Sequence, residues 1–211
     1  MNQDQTKQEN LSSLAQEIAN CQKCRLCLKR TNTVPGNGDP DSELVFVGEG
    51  PGKNEDLQGV PFVGAAGKYL DKLLASIGLT RPQIFITNIV KCRPPDNRDP
   101  LPDEISTCSP YLSQQLEILK PKLIITLGRH AMNFFLPSLK ISAAHGQPKR
   151  YQGQVYLPLY HPAAGLYNPA TRTDIDSDFL KIPLILKKLK DEERKKQTEA
   201  EIQSAEQLKL L

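Results

Sequence analysis

Leu44-Val-Phe-Val-Gly-Glu-Gly-Pro-Gly52 decides the fold, because a short apolar run stops there in a glycine-rich loop. Four consecutive apolar residues bounded by turn formers read as a strand buried on both faces, the kind found in parallel sheets. Leu70, Leu73, Leu74 and Ile77 then recur at helical spacing and stop before Gly78, a residue suited to the position just past a helix end. Strand followed by helix is the repeating unit. Residues 84–90 are strand-like and 102–119 helical; residues 123–127 are strand-like and 129–136 helical; residues 155–160 are strand-like, ahead of a last core helix near 177–189. The alternation predicts a three-layer α/β/α sandwich on a central, mainly parallel, four-stranded sheet with helices on both faces.

Outward from this core, residues 34–41 are turn-rich, and residues 11–30 are expected to be helical around a first pair of cysteines. Residues 1–10 are expected to be flexible, 11–189 to form the folded domain, and 190–211 to form a charged, solvated tail, helical or disordered. A chain of 211 residues with 38% hydrophobic content is enough for one core. No run approaches a membrane span and the first twenty residues lack a signal peptide's apolar stretch, so a soluble, cytoplasmic monomer without membrane contact is expected. A net charge of +3 permits a polyanionic partner.

Cys21 and Cys24 form a C-x2-C pair, and Cys92 and Cys108 each follow an apolar segment that can carry them back to it. Four thiolates in one place suit zinc or an iron-sulfur centre, and spacing alone leaves both open. Five cysteines, an odd number, favour metal binding over a disulfide framework in a reducing compartment.

Ligands of parallel α/β sheets bind outside the carboxyl ends of the strands. Those ends here deliver Gly48 to Gly52, Asn88 with the segment 91–95, Gly128-Arg-His130, and His161-Pro162. Glu49 and His161 offer a carboxylate and an imidazole from strands distant in sequence, a pocket with acid/base capacity. The glycine loop is not a nucleotide cradle: Gly48 and Gly52 are spaced one residue short of a P-loop, Asn54 follows Lys53, and Lys53 stands where a dinucleotide fingerprint needs its last glycine. Phe62, in a run rich in Gly and Pro, is either a core residue or a platform on which a base stacks. Asn88, inside an apolar strand, is either a structural bridge or the reader of a ligand edge. His130 and His145 are read as surface or structural.

Gly48-Glu-Gly-Pro-Gly52, Pro61-Phe-Val-Gly64, Thr87-Asn-Ile-Val-Lys-Cys-Arg-Pro-Pro95 and His161-Pro-Ala-Ala164, in this order and with four cysteines, resemble the family 4 uracil-DNA glycosylases, iron-sulfur enzymes of bacteria and archaea. The resemblance implies the uracil-DNA glycosylase fold, uracil-containing DNA as partner, and hydrolysis of the base's N-glycosidic bond in base excision repair. Glu49 separates the chain from family 5, which lacks a polar residue there. The family pattern assigns a 4Fe-4S cluster to Cys21, Cys24, Cys92 and Cys108, away from the chemistry. Cys27 departs from that pattern. It makes a second C-x2-C with Cys24, but Arg25-Leu26 resembles the family's sequence after its second ligand, so Cys27 is read as a spare thiol. Lys23, Arg25, Lys91 and Arg93, next to the ligands, are expected to meet phosphates.

By the same resemblance Phe62 stacks on a flipped-out uracil, Asn88 bonds its pairing edge, and Gly48 and the Gly50 N–H complete the subsite. His161 donates to uracil O2 as the glycosidic bond breaks, Glu49 orients water or favours the positive sugar, and Glu55 crowds C5 against thymine's methyl. Two rival readings remain: a non-catalytic iron-sulfur DNA-binding module of the same fold, and a zinc-stabilised nucleotide-binding protein. A mere binder has no use for Glu49 with His161, and the failed nucleotide patterns disfavour the second.

Overall fold

A computed structural model describes residues 6–208, with side chains described up to residue 199. In chain order the elements are α1 (Lys7–Ala19), β1 (Asn37–Gly38), β2 (Leu44–Gly48), α2 (Lys53–Gln58), α3 (Ala65–Ser76), β3 (Phe85–Asn88), α4 (Pro102–Leu119), β4 (Leu123–Leu127), α5 (Arg129–Phe135), α6 (Ile141–Ala144), β5 (Lys149–Tyr151), β6 (Gln154–Leu159), α7 (Pro162–Tyr167), α8 (Pro169–Phe179) and α9 (Ile182–Leu208).

The sheet runs β1-β3-β2-β4-β6-β5. Its four central strands are the expected ones and are mutually parallel, with Gly48 opposite Asn88 and Val47 opposite Thr126. Six strands, not four, make the sheet, because β1 and β5 add antiparallel edges. Neither carries a readable pattern. β1 is two residues long, and at Gly38 a Cβ would lie 1.9 Å from the Ile84 carbonyl oxygen, so only glycine lets the edge dock. β5 is Lys-Arg-Tyr, joined to β6 by a tight hairpin in which Gln152 and Gly153 both have positive φ.

Alternate residues of one strand feed opposite layers, the period-2 consequence of a pleated backbone. Val45 and Val47 pack with Leu112 and Leu119 of α4, with Met132 of α5 and with Leu14 and Ile18 of α1. Leu44 and Phe46 pack with Leu70 and Leu74 of α3, with Phe179 of α8 and with Ile182 of α9. The three-layer sandwich follows. No helix among the described residues is long and apolar enough to cross a membrane.

Three boundaries differ from expectation. Thr6 and Glu9 form a capping box, so α1 begins at Lys7 and residues 7–10 are helical; residues 1–5 lie outside the description. At the other end α1 stops at Ala19, leaving Cys21 beyond the helix and Cys24 at the start of a 3-10 turn, Arg25–Leu28. The single helix expected near 177–189 is two, α8 and α9, broken ahead of Pro183, which has no N–H for the Phe179 carbonyl and whose ring would crowd it in a continuous helix. From there α9 runs on into the charged segment as far as Leu208. Gly78 has the positive φ, 73°, expected of it past the end of α3.

Candidate active site

The strand order reverses between β2 and β4, and the carboxyl ends around that point open into a cavity of about 360 Å³. Glu49, Gly50, Glu55, Phe62, Asn88 and His161 all line it, together with Pro94, Asn97, Arg98 and Pro100 of the loop after β3. Gly48 does not. It is buried at the end of β2, where a Cβ would stand 2.4 Å from Asn88 Oδ1 and 2.9 Å from Phe62 Cζ. Its part is to leave room for those two side chains.

Asn88 ends β3 at 2% exposure, and its side-chain amide has no hydrogen-bond partner among the described residues. Bridging no protein groups among the described residues, the amide is left to pair with whatever enters the cavity it lines. Phe62 is only 6% exposed and packed in the core, and it also lines the cavity. The ring lies nearly parallel to the His161 imidazole, centroids 5.6 Å apart and planes at 27°.

His161 caps the N-terminus of α7, its Nδ1 accepting the Ala163 N–H at 3.1 Å. An accepting Nδ1 leaves the proton of the neutral ring on Nε2, and His161 lines the cavity. The packing around the ring pushes its pKa down to about 4, so it is a neutral donor at physiological pH.

Glu49 lies just past β2 with Oε1 buried and, among the described residues, without a hydrogen-bond partner. Burial raises its pKa; His130 and Arg129 draw it back, and Asp99 pushes it further up. His130, read from the sequence as surface or structural, is half-buried and stands close to this carboxylate. A ligand atom of His130 and one of Asp99 both stand within 4.8 Å of one on Glu49, and His130 Nε2 is 3.1 Å from Asp99 Oδ2. Its position right after β4, at a strand's carboxyl end, was the available signal. Glu55 presents to the cavity a carboxylate already in use: Oε1 accepts the N–H groups of Val63 and Gly64, each at 2.9 Å. His145 is structural as expected, bonded through Nδ1 to buried Asp178 at 2.7 Å.

Cys21, Cys24, Cys92 and Cys108 converge on a second cavity, walled also by Leu26, Tyr111, Arg30 and Cys27. A zinc ion held by four thiolates needs sulfurs about 3.8 Å apart. Among the described residues no three of these sulfurs lie within 4.8 Å of one another, a wider spacing than a four-thiolate zinc site has. The wall fits a bound metal centre in two ways. Arg30 Nη1 donates to Cys92 Sγ at 3.1 Å and the Lys91 N–H to Cys108 Sγ at 3.2 Å, and among the described residues the buried Tyr111 hydroxyl has no hydrogen-bond partner. Burial pushes the Cys92 thiol up to about 11 and raises Cys24 and Cys108, so a metal centre displaces protons as it binds.

Of the basic residues beside these cysteines, Lys23 and Arg25 are exposed, and Arg93 is half-buried and holds Asn97 Oδ1 at 2.7 Å. Lys91 is not a phosphate contact. It is 1% exposed, and its ammonium donates to Thr87 Oγ1, the Asn88 carbonyl and Gln115 Oε1 at 2.6–2.7 Å. No carboxylate pairs with it among the described residues, and burial lowers its pKa to about 7.

A profile of the uracil DNA glycosylase superfamily matches residues 35–182. Two relatives, the type-4 uracil-DNA glycosylases of Sulfurisphaera tokodaii and Saccharolobus solfataricus, are each 48% identical over 184 residues, covering 82% of this chain and 84% and 85% of theirs. A third, the type-4 uracil-DNA glycosylase of Archaeoglobus fulgidus, is 47% identical over 185 residues, covering 82% of this chain and 92% of its own.

Proposed function

The chain belongs to the uracil DNA glycosylase superfamily, and we propose that it is a type-4 uracil-DNA glycosylase: it flips uracil out of DNA and hydrolyses the bond between uracil N1 and deoxyribose C1′, leaving an abasic site for base excision repair. One observation carries the assignment of the site: the Asn88 amide, Glu49, whose buried Oε1 has no hydrogen-bond partner among the described residues, and the His161 ring line one cavity with the Phe62 ring. Such an array pairs with a flat ligand that is read at its edge and stacked on its face.

In this reading the extruded uracil lies on Phe62. The Asn88 oxygen accepts uracil N3–H and its NH2 donates to O4, while the Gly50 N–H adds a backbone contact. As the N1–C1′ bond breaks, its electron pair goes to the base, and the Nε2–H of neutral His161 stabilises the charge gathering on O2. The sugar meanwhile becomes cationic at C1′. Ionised Glu49 stabilises it and orients the water that adds there, the water's proton passing to the carboxylate or to solvent. Glu55, fixed by the Val63 and Gly64 amides, narrows the space beside C5, where thymine carries its methyl group.

Cys21, Cys24, Cys92 and Cys108 would hold a 4Fe-4S cluster. When bound, that group cross-links the N-terminal segment to the loop after β3 and to α4, and takes no part in the chemistry. The exposed Lys23 and Arg25 and the half-buried Arg93 then bear on the phosphates of the strand that enters the cavity. The non-catalytic reading loses ground to Glu49, whose buried, unpaired oxygen is a cost that binding alone does not offset.

Incubation with an oligonucleotide containing one uracil, followed by alkaline cleavage, tests the proposal. A break at the uracil and none at a matched thymine is expected; an intact uracil strand contradicts it.

A further inference from the structure

Phe62 is the one aromatic residue among the described ones with a left-handed backbone, at φ 55°. A side chain with a Cβ resists this conformation, and a bulky one is an outlier there that persists only where its surroundings impose it. The surroundings are specific. Arg81, in the 3-10 turn before β3, sends Nη1 to the Pro61 carbonyl at 2.9 Å and Nη2 to the carbonyls of Phe62 and, at 3.4 Å, Gly67. Its own aim is set by Asp71 of α3, whose Oδ1 takes the Nε–H at 2.6 Å. Gly67 permits the approach, since a Cβ there would lie 1.7 Å from the Phe62 oxygen. On the other side Glu55 holds the next two amides.

Resting on the reading of Phe62 as the stacking platform, we infer that Arg81 is a positioning residue for uracil recognition: its guanidinium, outside the cavity, holds the 61–62 carbonyls so that the Phe62 ring faces the base. Arg81 does not line the cavity and touches no substrate. A merely structural arginine would lower stability without regard to which side chain stands at position 62.

The test is a double-mutant cycle with Arg81→Ala and Phe62→Ala, read as single-turnover uracil release, with melting temperature and iron content measured for each protein. Arg81→Ala is expected to slow release about 5- to 100-fold, the range of a lost base–aromatic stack. The double variant is expected to be no slower than Phe62→Ala, because the clamp has nothing left to aim. Losses that multiply in the double variant overturn the inference. If Arg81→Ala does not fold, Asp71→Asn, at an exposed carboxylate, takes its place in the cycle with a smaller expected loss and the same criterion. A wild-type protein that releases no uracil refutes the substrate reading and leaves the clamp to be judged by a crystal structure of the arginine variant. Phe62 leaving the left-handed region supports the clamp; Phe62 unmoved overturns it.

Discussion

The Lys91 ammonium donates to the Asn88 backbone carbonyl at 2.7 Å, while the amide of the same lysine donates to Cys108 Sγ at 3.2 Å. One buried residue therefore ties the strand end that meets the base to the wall that gathers the cysteines. Lys91→Met keeps the length and removes the donor, leaving oxygens on Thr87, Asn88 and Gln115 short of a partner. We predict a loss of about 1–3 kcal/mol in stability and slower uracil release, with no change in the salt dependence of DNA binding. Arg93→Ala should do the reverse, lowering the slope of log K against log salt by about 1. A reduced slope in Lys91→Met would return Lys91 to the phosphate face.

Glu49 and His161 make opposite contributions to pH dependence. The His161 pKa is depressed to about 4, so the ring is already neutral above pH 5 and sets no limb near neutrality. The Glu49 pKa is raised, and its ionised form is the active one, so activity is lost as pH falls through that raised value. Glu49→Gln is predicted to be slow at every pH and to lack the acid limb in single-turnover rates. A limb that survives the substitution belongs to another group. Stability has its own sign. Below about 6.5 the unfolded chain protonates His161 and the folded one does not, so stability falls from pH 6.5 towards 4, and His161→Ala flattens that part of the curve.

Asn88 is predicted to separate uracil from cytosine. Cytosine presents a donor at N4 and an acceptor at N3, which inverts the edge that a fixed amide fits and leaves buried groups unpaired at about 1–3 kcal/mol each. Asn88→Asp exchanges the NH2 for an acceptor, so weaker uracil release with a trace of cytosine release is expected. An unchanged ratio of single-turnover rates on matched uracil and cytosine strands refutes the assignment.

Anaerobically purified protein is predicted to be brown and to carry close to four irons. Cys92→Ser and Cys108→Ser should lose the iron, because each removes a cross-link between segments distant in sequence. Cys27→Ser should keep it, although Cys27 lines the same cavity. Bleaching by Cys27→Ser alone would show that Cys27, not its neighbour, is a ligand.

The central strands were legible because a parallel sheet buries both faces, which makes Leu44-Val-Phe-Val47 and Leu123-Ile-Ile-Thr-Leu127 continuous in their apolar character. The edges were not, since Asn37–Gly38 and Lys149–Tyr151 are short, polar and held by one neighbour each. Glu49, Asn88 and His161 follow from the rule that ligands sit at strand carboxyl ends. His130 obeys the same rule, but its closeness to Glu49 comes through the β2–β4 pairing, which no local pattern encodes. Lys91 was misread because a lysine between two apolar residues and a cysteine gives no local sign that Thr87, Asn88 and Gln115 supply oxygens to bury it. The strain at Phe62 depends on Arg81, nineteen positions away, and was equally invisible.

The central claim is that the cavity bounded by Glu49, Phe62, Asn88 and His161 is where uracil leaves DNA. The most direct measurement is single-turnover release of free uracil from a duplex with one labelled uracil, by iron-loaded wild-type protein and by His161→Ala at the same iron content. The account predicts one uracil and one abasic site per turnover for the wild type, and release about 100- to 1000-fold slower for the variant. Equal rates for the two proteins, or no uracil released by the wild type, would contradict it.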